Sequence, residues 1–294
     1  MGRRGKGGEG TIHGVAVVDK DAGWTSHDVV AKARGILGTR KVGHSGTLDP
    51  DATGVLVLGV GRGTKLLRYL QLLPKSYECE IVFGVETNTL DDSGEVTATH
   101  DMSFSPEEAT AAVGALTGDI LQVPPMVSAV KIDGKRLHEL ARQGIEVERP
   151  ARPVTVYRYE VTPTEDPLVY RAVVECSSGT YVRVLAADLG TALGGGAHLR
   201  TLRRTSVGAF TLADANPLEA VTVLPLPEAV RGFPCVSVDK DLEAAIRVGK
   251  VLDAETLGVA GQGPWPVLSE AGELLAVYEP FRDSSVKPAV VLVG

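Results

Sequence analysis

The segment Gly43-His44-Ser45-Gly46-Thr47-Leu48-Asp49-Pro50-Asp51-Ala52-Thr53-Gly54 limits this chain more than any other. Its three glycines and one proline rule out a regular helix or a fully paired strand, because glycine loses much backbone entropy on ordering and proline lacks an N–H. The apolar run Val55-Leu56-Val57-Leu58 follows at once and reads as a buried strand. Any fold must therefore hold a shaped polar loop, with one histidine and two carboxylates, tight against a core strand. Such a loop can keep a reactive group still. On the residues alone, Asp49 is more simply a turn cap before Pro50 in a glycine-rich connection.

Before this loop, Gly14–Lys20 reads as a strand, and Thr25-Ser26-His27-Asp28 has capping-box spacing. Val29, Val30, Ala33, Ile36 and Leu37 then share one helical face, and Gly38 ends the helix. After the loop, Gly59-Val60-Gly61-Arg62-Gly63-Thr64 leads into a helix expected from about Thr64 to Leu73. The third glycine falls one place early for a dinucleotide fingerprint, and no Gly-Lys-Ser/Thr closes a phosphate loop. Tyr77–Phe83, Val154–Val161 and Leu168–Cys176 read as strands, and Asp91-Asp92-Ser93-Gly94 as a hairpin turn. Ser105-Pro106-Glu107-Glu108 starts a helix with a cap, a first-turn proline and favourable acids. Lys131–Gly144 suggests a turn and a short helix with Leu137, Leu140 and Ala141 inward. A further helix runs from about Tyr181 to Leu193, with Val182, Leu185, Ala186 and Leu189 buried. Arg183 in its first turn opposes the helix dipole and so calls for a partner.

The architecture expected is α/β (α+β), with a mixed, largely antiparallel central sheet and a small C-terminal β-barrel-like domain. The boundaries are a basic tail at 1–10, a main domain at 11–210, a proline-punctuated connecting helix and linker at 211–233, and the small domain at 234–294.

The net charge of −7 looks wrong for a nucleic-acid binder, but its distribution matters more. Residues 76–130 carry ten acids and no Lys or Arg, whereas residues 1–75 and 131–210 carry twelve bases each against six and nine acids. Counterion release responds to the local patch, so those two segments can meet a polyanion. Three scattered cysteines, Cys79, Cys176 and Cys235, point to reduced thiols in the cytoplasm rather than a disulfide framework or zinc site. No apolar run reaches membrane-span length.

The block Gly43–Gly54 resembles the signature of the TruB family, the tRNA pseudouridine-55 synthases. The likeness continues through Lys75-Ser76-Tyr77, the Thr87–Gly94 turn, Pro124–Lys131, the Lys135–Gly144 helix, Cys176–Gly190 and Gly195–Arg204, covering nearly all of residues 12–210. Val127 departs from it, standing where an aromatic is common. The resemblance implies a pseudouridine synthase fold with a C-terminal PUA-like module and an RNA-closing insertion at about 126–152. It implies that uridine is isomerised to pseudouridine at tRNA position 55, without cofactor or metal. Asp49 would be the nucleophile or base, Arg183 its partner, and Tyr77 the ring against the target base and a candidate for taking its C5 proton. His44 would fill the place of the flipped-out nucleotide, Tyr181 and Leu202 would line the uracil pocket, and Lys20, Lys65 and the Arg200–Arg204 cluster, Arg203 included, would approach phosphates. The partner implied is the T arm of tRNA, met by a cytoplasmic monomer away from membranes. A non-catalytic tRNA-folding chaperone and a guide-RNA-dependent synthase are the alternatives on the same scaffold.

Overall fold

The computed structural model describes residues 12–128, 131–132, 135–136, 145 and 147–293. A nine-stranded sheet forms its centre. In spatial order the main path is β1 (Gly14–Lys20), β3 (Thr53–Val60), β12 (Ala197–Val207), β4 (Lys75–Phe83), β11 (Val169–Cys176), β10 (Arg152–Pro163) and β7 (Gly118–Gln122). Short β2 (Val42–His44) pairs with β3, and β13 (Phe210–Thr211) pairs with β12. Every pairing is antiparallel except β3 with β12, so the sheet is mixed and largely antiparallel, as expected.

That parallel contact joins the two halves of the sheet. It sets Thr53 beside Arg203 and Gly54 beside Arg204. The basic cluster Arg200–Arg204 lies on β12, with Arg200 exposed, Arg203 partly exposed and Arg204 buried. The strand runs between β3 and β4, and its Ala197, His198, Leu199, Arg204 and Val207 are buried. Burial along β4 alternates between its faces, as a strand covered chiefly on one side requires.

Helix α1 (Ser26–Ile36) starts at the expected Thr25–Asp28 capping box, and its Val29, Val30 and Ala33 pack on β1, β2 and β3. Helix α3 (Pro106–Gly114) has the Ser105–Glu108 box and buries Ala109 and Val113. Helix α4 (Val182–Ala192) lays Val182, Leu185, Ala186 and Leu189 on a core shared with Tyr77, Ile81, Phe83 and Val174. Leu48 and Ala52 enter the same core on either side of Asp49. The loop is thereby fastened by two apolar side chains.

Two expectations change. The helix proposed for Thr64–Leu73 is a 3₁₀ turn over Gly61–Leu66 followed by the four-residue α2 (Leu67–Leu70). The 211–233 region is no linker helix: it forms three 3₁₀ turns and backbone bridges to β1. Val15 and Leu224 exchange backbone bonds of 3.1 and 2.7 Å, so this stretch covers the strand's open edge. The tail at 1–10 and the helix expected within 137–144 lie outside the described residues. Nearby, β8 (Lys131–Ile132) and β9 (Lys135–Arg136) pair as a small hairpin.

Beyond β14 (Val236–Val238), the chain forms a second, curled five-stranded sheet resembling a half-barrel. Its strands also include β15 (Leu252–Asp253), β16 (Trp265–Ser269), β17 (Leu274–Pro280) and β18 (Ser285–Val291). Leu274, Val277, Val290 and Leu292 pack directly with Val15, Val55, Leu66 and Leu70, so the two sheets share a core. Among the described residues, no helix is long and apolar enough to cross a membrane.

Candidate active site

The Gly43–Gly54 loop is held from three directions. From α1, the Ser26 hydroxyl donates to Leu48 O at 3.1 Å and accepts from Leu48 N–H at 2.8 Å. From the end of β1, the Lys20 ammonium donates to Pro50 O at 2.9 Å, and also to Asp21 O and Trp24 O. From β12, Arg204 donates through Nε to Val55 O at 2.7 Å and through Nη1 and Nη2 to Thr47 O and Gly46 O. Side-chain donors thus satisfy carbonyls that a helix or sheet would otherwise occupy. Gly54 has φ +101°, and a Cβ there would lie 2.2 Å from Arg204 O. Only glycine fits this close passage.

This scaffold brings Asp49 to Arg183. Arg183 Nη2 lies 3.1 Å from Asp49 Oδ2, and Nη1 lies 3.1 Å from Asp91 Oδ2. The same guanidinium donates to Thr89 O at 2.7 Å and Val127 O at 2.9 Å. It is only 5% exposed, whereas the Asp49 side chain is 44% exposed. The acid therefore opens to a ligand while its partner is buried and fixed. Desolvation pushes the Asp49 carboxyl above its usual range; Arg183 opposes that rise, and Asp91 adds to it.

Two hollows meet at this ion pair. Tyr77, Tyr181, Leu202, Lys75 and Arg204 line one. Asp51, Asp91, Ser93, Arg200 and Leu202 border the other. Tyr77 is buried, and desolvation raises its phenol above the ordinary value, with Arg204 pulling the other way. A phenol in that state remains protonated at neutral pH. Tyr181 is the N-cap of α4 but supplies no side-chain cap. Its backbone N–H donates to Gln122 Oε1 at 2.7 Å, so a residue from β7 fixes the start of the helix carrying Arg183.

Asp49, Arg183, Tyr77, Tyr181 and Leu202 therefore converge. His44, at the end of β2, is not among the residues lining either hollow; its ring lies edge-to-face with His27 at a centroid distance of 5.1 Å. Burial lowers the His44 pKa, and His27 and Arg204 lower it further. The cations expected at phosphates lie in several settings around the loop and sheet. Lys20 is buried beneath Pro50, and its ammonium is pushed down to about 8 chiefly by desolvation. Lys65 donates to Val291 O at 2.9 Å, at the seam with the second sheet. Arg203 pairs with Asp19 at 2.7 Å while remaining partly exposed. Arg204 is 1% exposed and serves the loop from within.

Sequence reasoning missed the second acid, Asp91. Its turn motif accounted for it locally, through bonds from Thr89 and Ser93 to its carboxylate. Nothing along the chain announces the long-range approach of Arg183. Ser26, Gln122 and the brace formed by Arg204 were missed for the same reason.

Family models match on either side of this geometry. The TruB family pseudouridylate synthase N-terminal domain matches residues 34–182, and the tRNA pseudouridylate synthase B C-terminal domain matches residues 183–227. The chain belongs to the TruB family. The TruB matches thus include both Asp49 and Arg183. The tRNA pseudouridine synthase B of Nocardia farcinica (strain IFM 10152) is 51% identical over 278 residues, covering 91% of this chain and 90% of its own. That of Thermobifida fusca (strain YX) is 46% identical over 295 residues, covering 96% and 99%. Among solved structures, a chain of a Cbf5-Nop10-Gar1 complex superposes with a TM-score of 0.76 at 25% identity, covering 96% of this chain and 85% of that one. The pseudouridine synthase fold is therefore shared well beyond close TruB relatives.

Proposed function

We propose that this TruB chain isomerises uridine to pseudouridine in tRNA, at position 55 of the T loop, using Asp49 on a nucleotide extruded from the RNA. The Asp49–Arg183 contact carries this reading. An exposed carboxylate held by a buried guanidinium is oriented and kept ionised while its open side admits a sugar. Curated tRNA pseudouridine synthase B relatives support tRNA as the substrate.

The target nucleotide leaves its stack to reach the hollow beside Asp49. The N1–C1′ bond then breaks, with its electron pair remaining on the uracil. As nucleophile, Asp49 forms an ester bond to C1′, which C5 later displaces. As base, it takes the C2′ proton and returns it when C5 bonds to C1′. Either route ends when the C5 hydrogen leaves as a proton and N1, freed from the sugar, takes one up, so the conversion is an isomerisation and redox-neutral. Tyr77 lies against the base and stays protonated, which favours packing and hydrogen bonding over proton abstraction. Leu202 and Tyr181 border the base, and His44, in keeping with the TruB resemblance, fills the space that the extruded nucleotide leaves.

The test uses unmodified tRNA transcript carrying tritium at uridine C5. Wild-type protein releases label from one T-loop uridine, and Asp49→Asn abolishes release while retaining RNA binding. Release from many uridines, or undiminished release by Asp49→Asn, refutes the reading. A chaperone acting without chemistry releases no label at all.

A further inference from the structure

We propose that Lys75 and Arg204 form a positively charged wall that takes up the negative charge of the uracil ring when it parts from the sugar. This rests on the isomerase reading above and concerns which groups stabilise its leaving ring.

Three strand positions build the wall. Lys75 and Tyr77 lie two residues apart on β4 and are both buried, so they share a face. Arg204 on β12 stands directly opposite Tyr77 in the pairing register. All three line the hollow that adjoins Asp49. The Lys75 ammonium donates to Leu73 O at 2.6 Å and to Gln71 O. Arg204 donates to Val55 O, Thr47 O and Gly46 O. No carboxylate forms an ion pair with either cation among the described residues. Arg183, the hollow's third cation, is matched by Asp49 and Asp91. Carbonyl dipoles hold Lys75 and Arg204 in place without cancelling their charge.

Two buried like charges side by side destabilise the resting protein. Lys75 registers this directly: burial, and after it Arg204, pushes its ammonium down to about 8, which leaves it cationic at neutral pH. Such an excess becomes favourable when an anion develops beside it. The proposed reaction makes one, because the N1–C1′ electron pair stays on the ring and spreads over its oxygens. Fixed charges in a site from which the base displaces water act strongly on that step and need no reorganisation. When C5 attacks C1′, the ring returns those electrons to the new bond and its anionic charge ends.

The experiment compares Lys75→Gln with wild type in single-turnover reactions on two transcripts. One carries uridine at the T-loop position, the other 5-fluorouridine, whose fluorine makes the departing ring a more stable anion. Gln keeps an N–H donor for the backbone carbonyls but removes the charge. Rearrangement is followed by chromatographic separation of the nucleosides from digested RNA, the C-linked product being identified by its fragmentation. With uridine, Lys75→Gln slows the reaction about 100-fold; with 5-fluorouridine, about tenfold or less. Lys75→Arg recovers most of the uridine rate, RNA affinity stays near wild type, and the thermal midpoint of Lys75→Gln does not fall below wild type. Equal slowing on both transcripts marks a merely structural role and overturns the inference, as does an unchanged uridine rate. If wild type rearranges neither transcript, the isomerase reading fails and this inference with it. If wild type is active and Lys75→Gln is equally slow on both, the isomerase reading stands and the charged wall alone is refuted.

Discussion

Replacing Arg183 with Met removes the guanidinium while keeping an unbranched apolar stem in the α4 core. Two unit charges about 4 Å apart attract by about 4 kcal/mol at an effective dielectric near 20. The Arg183–Asp49 separation of 3.1 Å between nitrogen and oxygen puts the charge centres close to that spacing. Asp49 is 44% exposed, however, so water screens its open side; roughly half the attraction, about 2 kcal/mol, is a fair expectation. Transferred to the barrier, that is about a 30-fold loss in rate. The sign of the pH effect is equally specific. Desolvation already raises the Asp49 carboxyl, and Arg183 is the largest force opposing that rise. Without Arg183, the carboxyl protonates at higher pH, so the acidic limb of the rate profile moves toward neutrality and activity partly recovers in alkali. Single-turnover tritium release measured between about pH 5.5 and pH 9 gives this profile. A uniform loss across that range, with the acidic limb unmoved, refutes the claim that Arg183 keeps Asp49 ionised.

Asp91→Asn shifts the same limb the opposite way, to lower pH, because Asp91 raises the Asp49 carboxyl. The accompanying loss, from looser placement of Arg183, is about tenfold near neutrality and is read in the same assay. Lys20→Met releases Pro50 O from its ammonium and slows turnover about tenfold by loosening the Asp49 loop. It also alters stability: the Lys20 ammonium is pushed down to about 8 in the folded protein from its ordinary 10.5, so the unfolded chain binds more protons within that window. Wild-type stability therefore gains a rising contribution with pH there, and denaturant midpoints of Lys20→Met lack it.

Much of the local structure is written locally. The boxes at Thr25–Asp28 and Ser105–Glu108 start α1 and α3 because each cap satisfies helix N–H groups within its own few residues. The β16–β17 hairpin over Val267–Tyr278 is similarly local. The Thr64–Leu73 helix failed because its first turn is drawn into the 3₁₀ form where Gly61 and Gly63 pass against His13 and Gly14, leaving no room for side chains. The connecting stretch at 211–233 lost its expected helix because the edge of β1 offered backbone partners.

The sequence by itself determined that residues 43–54 form a rigid bend carrying Asp49 against a core strand, since glycine, proline and the next apolar run leave few other conformations. It also raised the question of Arg183, a cation placed against its own helix dipole. Only the tertiary structure decided where the remaining charges go. The parallel contact of β3 with β12 carries Arg204 under the loop, and the turn after β5 (Val85–Thr87) carries Asp91 to Arg183. Those approaches join residues about a hundred or more positions apart, and no local pattern encodes them because desolvation and ion pairing act through space.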